Sequence, residues 1–157
     1  MEIVSKIASC IELREICLSK LECSKDDECF VEGSNKEFSV QSIFCAKVIE
    51  PIKEKNVRIL ANFELDAGDD ENIGESDSNQ DKKSGFSIKA SFILLYQLPT
   101  DKDFSIDDLN IFASVNGIFN CWPYWREIVQ NLTTRMGLSP LIIPLLRIPK
   151  ADSKDKH

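Results

Sequence analysis

The chain has 157 residues, of which 43% are hydrophobic and 29% charged, and it carries a net charge of -7. A chain of that length builds one domain that buries roughly 68–70% of its unfolded surface. The acidic balance excludes a surface made for nucleic-acid phosphates or for anionic membranes, so neither is expected as a partner.

Cysteine and histidine usage excludes more. The six cysteines, Cys10, Cys17, Cys23, Cys29, Cys45 and Cys121, form no C-x-x-C pair, and the sole histidine is His157. No ligand set of familiar spacing exists for tetrahedral zinc, so neither a metal nor a cofactor is expected. The N-terminal stretch lacks the basic and long apolar regions of a signal peptide, and no apolar run reaches the length of a membrane span. A cytoplasmic location with reduced thiols follows as the expectation, with the cysteines acting as small apolar residues.

In chain order, Glu2 to Glu15 fit either a short helix or an extended lead-in. From Leu13 the spacing predicts a strand, with Leu13, Cys17, Leu21 and Cys23 on its better buried face and Ile16 and Leu18 as exceptions. A charged loop from Lys25 passes Phe30 and ends at Gly33-Ser34-Asn35. A second strand runs from Phe38 to Ile49, stopped by Pro51, with Lys53-Glu54-Lys55 as a turn. Asn56 to Asp66 alternates cleanly as a third strand, and Phe86 to Leu98 as a fourth; antiparallel strands with one covered face give this pattern. Between them, Asp66 to Gly85 holds seven acids and two lysines, with too little apolar surface to offset the entropy of ordering. Residues 1–149 therefore read as a single domain with a disordered acidic loop at about 67–84, and 150–157 as a disordered tail.

Ser105 to Arg135 reads as one long interrupted helix. Ser105 with Asp108 is an N-cap signature. Two stripes follow at steps of three and four: Leu109, Phe112, Val115, Phe119 and Trp122, then Ile118, Trp122, Trp125, Val129, Leu132 and Met136. Asn116-Gly117 and Pro123 interrupt the pattern; Pro123 predicts a kink or restart, with Asn120 as the N-cap of the restarted helix. Gly137 is the expected C′ residue. The prolines of 138–149 then exclude a regular helix and predict an extended apolar strap. The strands come together before the helix, so the class is α+β.

No catalytic constellation appears. Phosphate-binding glycine motifs and the G-x-S-x-G elbow are absent, and Arg126-Glu127 fits a solvated helix face. The aromatic load around Pro123 exceeds what one small sheet is expected to cover, and surplus apolar surface marks protein interaction sites. The expectation is a non-enzymatic binding protein.

The run from Phe119 through Leu146 resembles the SecB export-chaperone family, whose members carry an aromatic-Pro-Tyr-x-Arg-Glu motif in an amphipathic helix, then a small loop and an apolar-Pro turn into an extended segment. Trp122, Pro123, Tyr124, Arg126 and Glu127 fall on the motif, and Gly137, Pro140 and Pro144 fit the loop and extended segment after it. The resemblance implies a four-stranded antiparallel sheet with helices on one face, assembled as a homodimer or homotetramer with the long helices between the sheets. It further implies ATP-independent binding of unfolded or extended polypeptides in an apolar groove, with handover to the export motor SecA. On that basis Phe30, Phe119, Trp122, Trp125, Leu141 and Ile143 are expected to contact the client. Phe112, Val115, Ile118 and Val129 are expected at the oligomer interface. Two features depart from the family: the second helix that flanks the groove has no counterpart, and Lys20 and Ser24 stand where acidic residues dock SecA. They favour an alternative, a dedicated subunit for one partner, either a toxin–antitoxin-linked chaperone or a scaffold.

Overall fold

A computed structural model describes residues 2–30, 38–49, 54–69 and 85–147. Pro51 and Lys53, most of the expected acidic loop and the tail at 150–157 lie outside these. Helix α1 (Glu2–Ala8) leads into strand β1 (Glu12–Lys25), and a 3-10 turn (Asp27–Phe30) follows. Strands β2 (Phe38–Val48), β3 (Asn56–Asp69) and β4 (Phe86–Gln97) come next, then α2 (Ile106–Phe112), a π-helical turn (Ala113–Gly117) and α3 (Ile118–Arg135). The ambiguous first residues thus divide into a helix, which buries Val4 and Ile7, and the start of β1.

All strands pair antiparallel in the order β1-β4-β3-β2, the α+β class expected. The two cleanest alternations occupy the centre. Val57, Ile59, Ala61, Phe63, Leu65 and Ala67 of β3 and Phe86, Ile88, Ala90, Phe92, Leu94 and Tyr96 of β4 are buried on the face under the helices. β3 also runs beyond Asp66, because Val40, Ser39 and Phe38 pair with Ala67, Gly68 and Asp69.

β1 departs from the spacing read off its residues. Register shifts after Leu13 and after Leu18 place Leu13, Ile16, Leu18, Leu21 and Cys23 opposite Tyr96, Leu94, Phe92, Ala90 and Ile88. Each bulge adds a residue and resets the alternation, so the two exceptions, Ile16 and Leu18, join the helix-side face. Cys17 leaves it, opposing Ile93 with its thiol 3.7 Å from the Ile93 carbonyl. Neither face of β1 is well covered; most of the strand is exposed.

The helix layer begins as expected: the Asp108 N–H donates to Ser105 Oγ at 3.1 Å. Of the two expected interruptions, Asn116-Gly117 falls in the π turn, whereas α3 continues unbroken through Pro123. Asn120 caps nothing; its side-chain amide donates to Tyr96 Oη at 2.7 Å. Proline inside a helix costs about 3 kcal/mol, whereas α3 buries Ile118, Trp122, Trp125 and Val129, each worth roughly 1.5–3 kcal/mol, so packing holds the helix together. The extra residue of a π turn widens the helix as Gly117 meets the sheet: a Cβ there would lie 3.2 Å from Ile59 Cγ2 and 3.3 Å from Ala46 Cβ. Gly137 ends the helix at φ 76°, with Leu138 N–H bonded to Thr133 O and Gly137 N–H to Thr134 O, a Schellman closure.

The tight approach at Gly117 is testable. Gly117→Val overpacks the seam between the π turn and β2–β3, and overpacking of this kind costs about 1–3 kcal/mol. The expected outcome is a lower urea midpoint at unchanged slope; an unaltered midpoint shows that the seam yields freely.

Candidate functional site

The helix layer is narrower than the sheet it covers. Trp125 stacks on Phe63 of β3 with ring centres 5.4 Å apart. Trp122 lies 6.1 Å from Phe63 and meets Phe44 of β2 edge-on at 5.3 Å. On the other side Tyr124 reaches Phe92 of β4 at 6.4 Å. α3 therefore roofs the central strands and leaves the helix-side faces of both outer strands open. One open flank shows Leu13, Leu18 and Leu21 of β1 beside Tyr124; the other shows Val40 and Phe44 of β2. Leu18 is 47% and Phe44 42% exposed, large values for side chains on the core face of a sheet.

The strap, 138–147, runs back along α3 on the Trp122 side. Leu141 N–H donates to Thr133 Oγ1 at 3.0 Å, Arg126 Nε donates to the Ile143 carbonyl at 2.6 Å, and Trp122 Nε1 donates to the Pro144 carbonyl at 2.9 Å. Arg126 is thus half-buried against the strap rather than on a solvated face, while Glu127 stays exposed and accepts from Asn131 Nδ2 at 3.0 Å. Pro123 and Tyr124, the rest of the motif, are exposed.

The six expected client contacts do not form one open groove. Trp125 is fully buried and Trp122 only 8% exposed. The sheet covers both indoles within one protomer, and Ile143 is buried beneath the strap. Leu141 is half-buried and Phe119 exposed. Phe30 stacks on Phe38 at 4.9 Å and approaches Phe86 at 6.4 Å, closing the end of the sheet. The expected interface residues are likewise drawn inward: Phe112, Ile118 and Val129 are buried and Val115 half-buried, because β2, β3 and β4 occupy the faces of the helix that they line. Sequence reasoning missed Leu18, Val40 and Phe44 as open surface. Val40 and Phe44 share a face at strand spacing, but which strands lie at the edges depends on the strand order, and Leu18 joins the helix-side face only through a bulge.

Charge is quiet on the sheet's outer face. Lys89 pairs with Glu64 at 2.6 Å and Lys20 with Glu22 at 3.1 Å, and Ser91 Oγ bonds Asn62 Oδ1 at 2.7 Å, lining a shallow basin of about 250 Å³. The hydrogen bond and charge of Glu64 raise the Lys89 pKa. Burial pushes Tyr96 up to about 12 against the opposing Asn120 bond, and burial alone pushes Cys121 to about 12. Among the described residues no cluster of histidine, cysteine or carboxylate side chains is placed to hold a metal, and no helix is long and apolar enough to cross a membrane.

No family model matches the chain. It is 28% identical over 83 residues to the SecB-like chaperone Rv1957 of Mycobacterium tuberculosis, a match spanning 51% of this chain and 46% of that protein. The chain thus aligns in sequence with about half the length of that relative. The structure superposes on that of the M. tuberculosis Rv1957 SecB-like chaperone, solved in complex with a ChAD peptide from the Rv1956 HigA1 antitoxin. The TM-score is 0.72 at 19% identity, covering 92% of this chain and 97% of the other.

The thiols separate by environment. Raising a thiol from 9.0 to about 12 leaves Cys121 with about a thousandfold less thiolate at a given pH. In a colorimetric thiol assay at pH 8, exposed Cys17, Cys23 and Cys45 are expected to react readily, and Cys121 only after denaturation. Rapid labelling of Cys121 in the native protein would contradict its burial on the inner face of α3.

Proposed function

We propose that the chain is a molecular chaperone that holds extended stretches of unfolded polypeptide without a nucleotide, a reading supported by its similarity to the SecB-like chaperone Rv1957 in fold over 92% of its length and in sequence over 51% of it. The observation that carries this reading is the pair of apolar flanks left open beside α3, with Leu18 and Leu21 on one and Val40 and Phe44 on the other. Apolar attraction scales with area and carries no direction, so such flanks accept many sequences. Contiguous apolar surface of this kind marks an interaction site.

Within this reading the client first meets the Phe44 flank, with Phe119, the strap's Leu141 and the exposed edge of Trp122 at its border. Trp125 acts from beneath by holding Phe63 and the helix in place, and Phe30 by closing the sheet's end. The β1 flank, rather than Phe112 or Val129, is the surface that a homodimer or homotetramer would share. Export through SecA is the less supported route, since Lys20 and Lys89 sit among the carboxylates of the outer face.

A second reading has its own support: the mycobacterial relative was solved with an antitoxin peptide. By analogy the client is one segment of a dedicated partner. Pull-down from native cells separates the two, many unrelated polypeptides favouring the general chaperone and one stoichiometric band the dedicated one.

Light scattering of a refolding client tests the proposal directly. The wild type is expected to suppress aggregation near stoichiometric ratios; no suppression of any client and no captured partner would sink it. Phe44→Ser should weaken suppression with little change in melting temperature, because that ring is already half in water. Trp125→Ala should instead destabilise the fold by about 3–5 kcal/mol, the range for emptying a buried aromatic site.

A further inference from the structure

Segment 138–147 has no regular secondary structure, and beyond Leu138 no described backbone hydrogen-bonds to its backbone. It is gripped by side chains of α3 instead: Thr133 takes the Leu141 N–H, Arg126 the Ile143 carbonyl and Trp122 the Pro144 carbonyl. Ile143 is the one described strap side chain that is buried; Leu138, Leu141 and Leu146 are half-buried against the core, while Ile142 and Leu145 stand 66% and 70% exposed. The grip therefore recognises main-chain groups and one apolar plug. An extended polypeptide of almost any sequence offers both.

Lifting the strap into water exposes the Trp122 and Arg126 donors, and water replaces their carbonyls at little net cost. What opening costs is the exposure of Ile143 and the apolar surface beneath it. Opening is thus disfavoured alone and cheap when an incoming chain seats an apolar side chain of its own in the same place. A segment with one buried plug and no ladder of its own also belongs to the part of a fold that opens most readily.

We propose that the strap is a built-in stand-in for the client. It rests along the Trp122–Thr133 edge of α3, and an incoming extended chain replaces it there, taking the Trp122 and Arg126 donors with its own carbonyls and seating an apolar side chain where Ile143 lies. The inference rests on the chaperone reading and adds regulation to its site: apparent client affinity is lowered by the fraction of molecules whose strap is closed.

Two measurements on the full-length protein decide it, with a permanently unfolded, reduced and carboxymethylated carrier protein as the probe. In hydrogen exchange of the wild type, saturating probe is expected to speed exchange across 138–147 several-fold; slower or unchanged exchange would make the strap a wall of the groove and overturn the idea. Ile143→Ser, which removes the plug, is expected to bind the probe about 3- to 10-fold more tightly than wild type as the closed fraction falls; equal or weaker binding by a folded variant overturns it as well. If the wild type binds no unfolded chain at all, the chaperone reading fails by itself. The strap is then judged by a synthetic peptide of residues 138–147: binding to Ile143→Ser about tenfold tighter than to wild type upholds a displaceable strap, and equal binding removes it.

Discussion

The contact on which the rest of the molecule depends is Trp125 laid flat on Phe63. It fixes α3 over the two central strands and so decides what the helix layer can reach. A helix with its side chains is about 10–12 Å across, and strands lie about 4.7–4.9 Å apart. One helix therefore covers little more than two strands of the four. The bare outer strands are a consequence of that width, and the exposure of Leu18 and Phe44 follows from where Trp125 sits. The same contact carries a cost: Trp125 Nε1 is buried with no hydrogen-bond partner among the described residues. A penalty of about 1–3 kcal/mol for an unmatched donor is tolerated because the ring buries so much apolar area, whereas Trp122, one position nearer the rim, has a strap carbonyl for its own N–H.

How much of this could be read from the residues differs by element. β3 and β4 were legible because a strand roofed on one face alternates strictly, and Val57 to Ala67 and Phe86 to Tyr96 do so without a break. The Ser105 cap and the Gly137 stop were legible because each is a local geometry tied to one residue type. β1 was not: its two bulges move Ile16 and Leu18 across to the helix side, and a bulge leaves no mark in a period-two pattern except apparent errors. Pro123 misled in the other direction, since its local penalty is smaller than the burial on either side of it.

The candidate site was less legible than the fold, for a related reason. Helical spacing shows that Trp122, Trp125, Ile118 and Val129 share a face, and it was the amount of aromatic surface there that suggested a shared or client-facing stripe. Spacing cannot show what covers a face. Here a four-stranded sheet whose own side chains include Phe44, Phe63 and Phe92 supplies enough aromatic surface to bury both indoles. The surplus apolar area exists, but it has moved from the helix to the strands that the helix fails to cover.

Open apolar strands are also the places where a protein pairs with itself, and the two outer strands handle this hazard differently. β1 carries Glu12, Arg14, Glu15, Lys20, Glu22 and Lys25 together with its two register shifts, and charge and bulges are the usual means of blunting an edge. β2 has an unbroken register and no charged residue before Lys47. What protects it is nonlocal. Asp66 to Gly85 contributes seven acids against two lysines, which is -5 of the total of -7. A net charge far from zero keeps molecules apart in solution. Repulsion between acidic copies thus lets the chain carry Val40 and Phe44 on an open flank with less pairing of that flank to its own copies.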